Sequence, residues 1–248
     1  MARSGGDNSC LFGPVNSRRL GVSLGIDLIK FKTCTFNCVF CECGATTTLT
    51  AQRQVFIPTG QVLKELKDFF GSASPHRPEV LTFSGGGEPT LAANIGEIIR
   101  AIKKPHTPRL CLLTNSSLLS DRQVRAEILP ADIIIPSLNA VSPEIFARIN
   151  RPLKGLTPEK IIAGLLELRK AYRGQLLLEI FLVPGLNDTP QELELLLKAA
   201  RQIAPDGIQL NSLDRRGTEG WVRPMPPDKL QKIKEFFGEF NTNYYLKR

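Results

Sequence analysis

Short apolar segments, most of them followed by an amphipathic segment, recur along the chain and restrict the folds open to it. Two of them, 133–136 (IIIP) and 176–183 (LLLEIFLV), are apolar almost throughout, which is typical of strands covered on both faces of a sheet. Six strands are predicted, at 22–29, 79–83, 109–113, 132–136, 175–183 and 207–211. Serial strand–helix units predict an α/β fold with a parallel sheet. Six units are two fewer than a closed barrel has, so we expect a partial (β/α)6 TIM-like barrel.

The segments between the strands have the apolar spacing of helices. At 158–172, Ile161, Leu165 and Leu168 recur on one face. Helices are predicted at 59–70, 91–103, 121–129, 158–172 and 190–203, with a last amphipathic helix at 226–240. We expect one domain over residues 1–248, with its core at about 13–214 and a C-terminal extension at 215–248. In such folds the active site lies at the C-terminal ends of the strands.

Four of the six cysteines lie within ten residues, in CTFNCVFCEC. Cys34, Cys38 and Cys41 are separated by three and then two residues, so one loop can wrap their thiolates around a metal centre. Soft thiolates favour iron–sulfur clusters, zinc or cuprous copper. Cys43 follows Cys41 by two positions, and such a pair on an extended segment points to opposite sides. We therefore predict three cysteine ligands and a metal centre left open for another ligand.

Glycine-rich and polar motifs follow several other predicted strands. FSGGGEPT follows the strand that ends at Phe83; its glycines at 85–87 allow close approach of the backbone to a ligand, and Glu88 presents a carboxylate. Ser137 and Asn139, in IIIPSLNA, follow the fourth strand and can hydrogen-bond to hydroxyl groups. A phosphate-binding loop is disfavoured, because no Lys-Ser or Lys-Thr pair follows the glycines.

Taken in order, these motifs resemble those of the radical S-adenosylmethionine (radical SAM) superfamily. CTFNCVFC is the most specific of them, with the aromatic Phe40 directly before its third cysteine, and the resemblance covers about residues 13–211. It implies that Cys34, Cys38 and Cys41 hold a [4Fe–4S] cluster and that S-adenosylmethionine (SAM) binds the open iron. It also implies that the whole chain is a single radical SAM domain.

The resemblance assigns contacts with SAM to the strand ends. The glycine–glutamate turn is expected to hold the methionine amino group. Arg151 is expected to hold the methionine carboxylate, with Arg148 as a substitute; a solvated arginine at a helix end is the competing interpretation. FLVPGLND is similar to the adenine motif, although Phe181 replaces its first glycine and Asp188 its final glutamate. The full set of expected cofactor contacts is Phe40, Gly85, Gly86, Gly87, Glu88, Asn115, Ser137, Asn139, Arg151, Val183, Asn211 and Leu213.

The opening stretch FGPVNSRRLGVSLGIDLIKFKTCTFNC narrows the resemblance to the group related to wyosine-type tRNA base synthases, including its short members. Arg18 and Arg19 are placed near substrate or cluster, or form a salt-bridging surface pair. Only Cys10 lies upstream of the signature, whereas full wyosine synthases carry three more N-terminal cysteines for a second cluster. Lys30 and Lys32 are merely near the position of their pyruvate-binding lysine, so the tRNA-base condensation is not carried over.

The balance of 32 basic against 24 acidic residues, a net charge of +8, permits RNA or another anionic substrate as partner; a soluble basic surface is the alternative. The two histidines, His76 and His106, stand among prolines and are expected to be solvated. No apolar run approaches the roughly 20 residues that span a bilayer. We expect a cytoplasmic protein with no membrane association.

The resemblance predicts an enzyme that cleaves SAM reductively to a 5′-deoxyadenosyl radical, which abstracts hydrogen from an undetermined substrate such as a tRNA base or another anionic molecule. It implies a one-electron reductant such as flavodoxin or ferredoxin. The alternative is a non-catalytic iron–sulfur or zinc protein that carries electrons or binds a partner, with Cys43 as the fourth ligand. Trp221, in TEGWVRP, is expected to be structural, and Glu219 and Arg223 beside it are candidates for facing the substrate.

Overall fold

The computed structural model describes residues 9–30, 32–72 and 77–244. His76 lies outside the described residues. His106 lies in an exposed turn between the helix Ile95–Ile102 and the strand Arg109–Thr114, as expected. No helix in these three ranges is both long enough and apolar enough to cross a lipid bilayer.

One sheet of eight strands forms the centre of the molecule, and it confirms the predicted partial barrel. Its order along the sheet is β1 (Leu11–Ser17), β2 (Gly21–Ile26), β5 (Val80–Phe83), β6 (Arg109–Thr114), β7 (Ile133–Pro136), β8 (Gln175–Phe181), β9 (Gly207–Asn211) and β10 (Thr242–Tyr244). All neighbours pair in parallel except β1, which is antiparallel to β2. A separate pair, β3 (Thr33–Cys34) and β4 (Thr48–Leu49), lies in the loop after β2.

The two edge strands were not predicted from the sequence. β1 contains the pair Gly13–Pro14, which is typical of a turn, and its pairing with β2 is irregular between Phe12 and Val15. β10 has only three residues and follows α7, and it pairs with β9 from Thr242 to Tyr244. The segment after residue 214 therefore adds a strand to the same sheet.

Seven helices surround the sheet: α1 (Thr59–Gly71), α2 (Ile95–Ile102), α3 (Arg122–Ile128), α4 (Pro143–Asn150), α5 (Pro158–Ala171), α6 (Pro190–Ile203) and α7 (Pro227–Phe236), all within the described residues. α4 was not predicted. α2 begins later than expected, because residues Pro89–Leu91 form a short 3-10 turn. Thr157 and Thr189 cap α5 and α6 with their hydroxyl oxygens, as their positions before proline indicate.

The strands are covered on both faces, as their apolar runs predict. Leu81, Leu112 and Ile134 belong to the main core between the sheet and the helices. Cys111 and Ile133 belong to a smaller cluster on the other face, together with Val80 and Ile135. Burial raises the pKa of the Cys111 thiol to about 12, so this cysteine is a small buried hydrophobic residue of the sheet.

Glu192 joins α6 to the loop between β7 and α4, which begins near the cavity described below. Its side chain is buried, and its carboxylate accepts hydrogen bonds from the backbone N–H groups of Val141 and Ser142 and from the Ser142 hydroxyl. A buried carboxylate with several donors stabilises the fold only while all of these partners are present.

We predict that Glu192→Leu lowers the free energy of unfolding by about 3 kcal/mol, because three donors lose their acceptor in a buried position. Urea denaturation followed by circular dichroism measures this change. Glu194→Leu, two positions along the same helix and exposed, is the control, with an expected change below about 0.5 kcal/mol. Equal stability of the two variants would contradict the prediction.

Candidate active site

A cavity of about 600 Å³ lies at the C-terminal ends of the strands, within the size range of small-molecule sites. Eleven of the residues predicted from the sequence line it: Cys34, Cys38, Phe40, Cys41, Gly85, Gly87, Glu88, Asn115, Ser137, Asn139 and Asn211. They come from the C-terminal ends of five strands of the main sheet, or from the loops that follow those ends, and meet only in the folded chain. The same wall contains residues that the sequence did not single out, among them Asn16, Phe36, Glu42, Asn150, Glu179 and Asp214.

Four of the predicted cofactor contacts lie outside the lining of this cavity. Val183 is fully buried in a small apolar cluster behind Phe40, and Leu213 packs against that cluster. The backbone N–H of Gly86 donates to the Asp27 carboxylate at 2.9 Å. Arg151 ends α4 in the left-handed conformation and pairs with Glu219, Nη1 to Oε1 at 2.5 Å.

The cysteines lie on a loop of residues 32–43, here called the cluster loop, that is attached to the end of α4. The backbone N–H of Val39 donates to the carbonyl of Ile149 at 3.0 Å, and that of Asn37 donates to Asn150 at 3.0 Å. The last carbonyls of a helix have no partner within the helix. The cluster loop therefore satisfies these carbonyls of α4 and gains a fixed position from them.

Each of the three predicted ligands accepts a hydrogen bond from a nitrogen. The side-chain amide of Asn115 donates to Cys34 at 3.4 Å, and that of Asn150 donates to Cys38 at 3.4 Å. The Lys32 ammonium donates to Cys41, Nζ to Sγ at 2.9 Å. A hydrogen bond from the Cys43 thiol, with the Lys32 ammonium, lowers the pKa of Cys41 to about 5. Burial raises the pKa of Cys34 and Cys38.

Cys43 differs from these three cysteines. Its side chain is exposed, lies outside the cavity lining, and donates from Sγ to the carbonyl of Gly85 at 3.4 Å. Its hydrogen bond to Cys41 raises the pKa of the Cys43 thiol. As a donor, Cys43 is placed as a neutral thiol.

The donor set fits a multi-iron centre. Within the described ranges, no three cysteine, histidine or carboxylate side chains converge closely enough to hold a single metal ion. A zinc ion would need its sulfurs at about 2.3 Å from one point. Thiolates that bind separate irons of a cluster need no such convergence, and soft sulfur ligands are the ones that these clusters take.

The glycine turn packs directly on the cluster loop. A Cβ atom on Gly87 would lie 1.9 Å from the carbonyl oxygen of Thr33, so only glycine fits there. The following residue, Glu88, is buried, and its carboxylate accepts from the Thr114 hydroxyl and the Asn115 N–H, both at 2.7 Å. Burial raises the pKa of the Glu88 carboxyl. Glu88 thus joins this turn to the end of β6.

Phe40 and Phe181 form a stacked pair in the wall of the cavity. Their ring centroids are 3.9 Å apart and the rings are nearly parallel, at 10°. Phe181 is one of the two residues at which the sequence departs from the adenine motif. Its ring lies against that of Phe40 on the cluster loop and lines the cavity.

Ion pairs line another part of the cavity. Arg18 pairs with Asp214, and Arg19 pairs with Glu179. Both arginines also line the cavity. The two interpretations of this pair, a position near substrate or cluster and a salt-bridging pair, therefore apply together. Glu179 is the one charged residue in the apolar run LLLEIFLV, and a lone charge in such a run could have marked it as a site residue from the sequence.

Comparison with known proteins agrees with this geometry. The model of the Radical SAM superfamily matches residues 28–200, more than half of the chain. A UPF0026 protein of Synechocystis sp. is 39% identical over 236 residues, which cover 95% of this chain and 83% of that protein. A protein of Brachyspira hyodysenteriae named GTPase Obg is 35% identical over 227 residues, 92% of this chain. The match covers 33% of the Brachyspira protein, so the chain spans about a third of its length.

Solved structures with low sequence identity share the fold. TYW1 with a lysine–pyruvate adduct bound has a TM-score of 0.67 and 18% identity, covering 89% of this chain and 75% of that chain. Streptococcus suis SuiB bound to S-adenosylmethionine has a TM-score of 0.63 and 13% identity, covering 90% and 50%. Radical SAM proteins bind a [4Fe–4S] cluster and SAM, and the cysteines for the cluster are present here. By its sequence match, its fold and its cysteine loop, this chain belongs to the Radical SAM superfamily.

Proposed function

We propose that the chain is an enzyme that holds a [4Fe–4S] cluster on Cys34, Cys38 and Cys41 and uses SAM to remove a hydrogen atom from a substrate in the same cavity. One observation supports this above the others: the three sulfurs, each with a nitrogen donor, face a cavity that the glycine turn and the strand-end amides complete. When bound, the two cofactors supply one-electron cleavage of the sulfonium bond, giving methionine and a 5′-deoxyadenosyl radical.

The chain's own residues bind and orient the cofactor in this proposal. Glu88 lines the cavity, and its Oε2 accepts from the Asn115 N–H; in this proposal the Glu88 carboxylate also accepts from the methionine ammonium. Asn139 is fixed by a hydrogen bond from the Phe181 N–H to its Oδ1 at 2.8 Å. Ser137 donates to Glu179 and lies beside it in the wall, in reach of hydroxyl groups of the ribose.

The position of Arg151 favours the competing interpretation of that residue. Its guanidinium pairs with Glu219, and neither side chain lines the cavity. Arg148, the substitute, lies on the exposed side of α4, 4.0 Å from Glu144. We therefore propose that Arg151 fixes the loop that contains Glu219, and we assign no arginine of α4 to the methionine carboxylate.

Lys32 is the one lysine in the lining of the cavity as the described residues form it. The lysine–pyruvate adduct of TYW1 raises the question of whether Lys32 could act as an amine nucleophile. Its ammonium donates to Cys41, and the charge of Cys41 raises the pKa of Lys32 against the effect of burial. A lysine that keeps its proton is a poor nucleophile, so we do not propose a condensation with pyruvate.

We predict that Cys38→Ala abolishes the formation of 5′-deoxyadenosine from SAM by anaerobically reconstituted protein, because one of three iron ligands is lost. Mass spectrometry of the products measures this, and iron content and circular dichroism report on the cluster and the fold. Cys43→Ala is the matched control and is expected to retain cleavage. Full activity of Cys38→Ala would refute the ligand assignment. Wild-type protein that holds its metal but neither binds nor cleaves SAM, together with loss of that metal in Cys43→Ala, would favour the non-catalytic alternative.

A one-electron reductant, such as flavodoxin or ferredoxin, is proposed to dock on residues 213–224, here called the cover loop. This loop lies on the cluster loop: the Thr218 hydroxyl donates to the carbonyl of Cys41 at 3.2 Å, and a Cβ atom on Gly217 would lie 2.9 Å from the backbone of Phe40. Its carboxylates, Asp214 and Glu219, are paired with arginines.

The outer surface of the cover loop is basic. Arg215, Arg216 and Arg223 are exposed, and Trp221 is 50% exposed between them. The Arg215 guanidinium pairs with Glu42, so Arg216 and Arg223 contribute most of the positive charge. The exposure of Trp221 differs from its expected structural role. An acidic electron carrier would find opposite charge close to the cluster at this surface, and charge complementarity of this kind speeds association.

We predict that Arg216→Glu slows reduction of the cluster by reduced flavodoxin roughly tenfold at low ionic strength, because like charges then face each other. Stopped-flow absorbance at the cluster bands measures the rate. Arg173→Glu is the matched control, because Arg173 is exposed just before β8, at the end away from the cavity; this variant should be reduced at the rate of the unmodified protein. Dithionite should reduce the unmodified protein and both variants alike. An unchanged rate with flavodoxin would place the docking surface elsewhere.

The substrate is proposed to be an anionic molecule, of which RNA is one class. Arg18 and Arg19 line the cavity and each pairs with a carboxylate, and an anionic group of the substrate could replace Asp214 on Arg18. The net charge of +8 favours such a partner.

We predict that an unmodified anionic precursor, a nucleoside of RNA or a metabolite, accumulates in a strain that lacks this gene. Untargeted mass spectrometry against the parent strain measures it. Wild-type protein should reverse the accumulation, and the Cys38→Ala variant should not. A precursor that is cationic or apolar would contradict the proposed substrate class.

A further inference from the structure

The hydrogen bonds of the cysteines divide them into two kinds. Cys34, Cys38 and Cys41 accept hydrogen bonds from side-chain nitrogens. Cys43 instead donates from its thiol to the carbonyl of Gly85. Cys10, likewise, donates to the Glu65 carboxylate, Sγ to Oε2 at 3.2 Å. A sulfur that only accepts is placed for the thiolate form, the form that binds metal.

The three nitrogen donors come from separate parts of the fold. Asn115 follows β6, Asn150 is the last residue of α4, and Lys32 precedes the first cysteine. Asn115 is held by its own Oδ1, which accepts from the Ser117 N–H at 3.0 Å, and its amide also donates to the Thr35 hydroxyl. This convergence on the three sulfurs is therefore a property of the tertiary structure and not of one local motif.

Asn150 gives an independent indication that its N–H group is the part of the side chain that the site needs. The residue is 2% exposed; its Nδ2 donates to Cys38, while its Oδ1 is buried and has no hydrogen-bond partner among the described residues. A buried unpaired carbonyl is unfavourable, and an apolar side chain would avoid this cost. An amide at this position is explained if its hydrogen bond to the Cys38 sulfur acts on the cluster when the cluster is bound.

From this arrangement we infer that Lys32, Asn115 and Asn150 are positioning residues that make the cluster easier to reduce. The inference rests on the proposed cluster site. Reduction from the 2+ to the 1+ state adds one electron to the cluster, and this negative charge is shared with the cysteine sulfurs. Hydrogen bonds and positive charge at those sulfurs stabilise the reduced state more than the oxidised state, which raises the reduction potential.

Lys32 has the largest expected effect of the three. It brings a full positive charge to within 2.9 Å of Cys41, at a partly buried position where solvent screens it little. The two amides are neutral donors at 3.4 Å, so each brings a dipole but no net charge to its sulfur. Cluster reduction by a carrier of modest potential would therefore depend first on Lys32.

The test is a redox titration of the anaerobically reconstituted protein, followed by the electron paramagnetic resonance signal of the reduced cluster. Lys32→Met is expected to lower the equilibrium constant for reduction roughly tenfold, which for one electron is about 59 mV. Asn150→Leu should lower it about threefold, in line with a neutral donor. Lys32→Arg, which keeps the charge and a donor, should restore most of the potential.

Lys30→Met is the matched control. Lys30 lies two residues before Lys32 and its side chain is exposed, so the variant loses the same charge and should titrate like the unmodified protein. Variants with full iron content that titrate at the wild-type potential would overturn the inference. Pulsed resonance in D2O is a second measurement: exchangeable protons coupled to the reduced cluster should be fewer in Asn150→Leu, and equal numbers would also overturn it. Failure of the unmodified protein to take up four irons would instead refute the proposed function.

Discussion

The attachment of the cluster loop to the end of α4 and to two glycines is the constraint on which the rest of the site depends. The loop has almost no regular secondary structure, so its backbone groups need partners elsewhere in the fold. The carbonyls of Ile149 and Asn150 provide them, and Gly87 and Gly217 allow the backbone to approach it from two sides. The cysteines therefore stand on a support made of three separate segments: the end of α4, the glycine turn and the cover loop.

The charges around the cavity follow from the shape of the open barrel. Its parallel strands leave one side unclosed, and the turn between β1 and β2 contributes Arg18 and Arg19, which reach Asp214 and Glu179 far along the chain. Charges taken out of water are costly unless they are paired. The pairs join the first hairpin to the end of the sheet and also form a wall that a polar substrate can contact. The residues that we propose to contact the substrate thus also support the fold.

Prediction from the sequence succeeded where the signal was local. The apolar runs identified the six central strands, and the motifs after them identified eleven of the residues that line the cavity, including Asn115 and Glu88. Arg151 shows where such reasoning ends. Its place after a helix was evident from the spacing, but the left-handed conformation at the end of α4 directs its side chain to Glu219. Val183 lies at the expected strand end, yet it packs behind Phe40, away from the cavity lining.

The sequence by itself determined the fold class, the three-cysteine signature and the family, because strand runs and metal-ligand spacing depend on residues close together in the chain. Only the tertiary structure decided which side chains serve the sulfurs. Asn150 lies 112 residues from Cys38 and Asn115 lies 81 from Cys34, and nothing in their local sequence marks them as partners of a cysteine. Contacts of this range are set by how helices and strands pack, so the same asparagines would be ordinary polar residues in another fold.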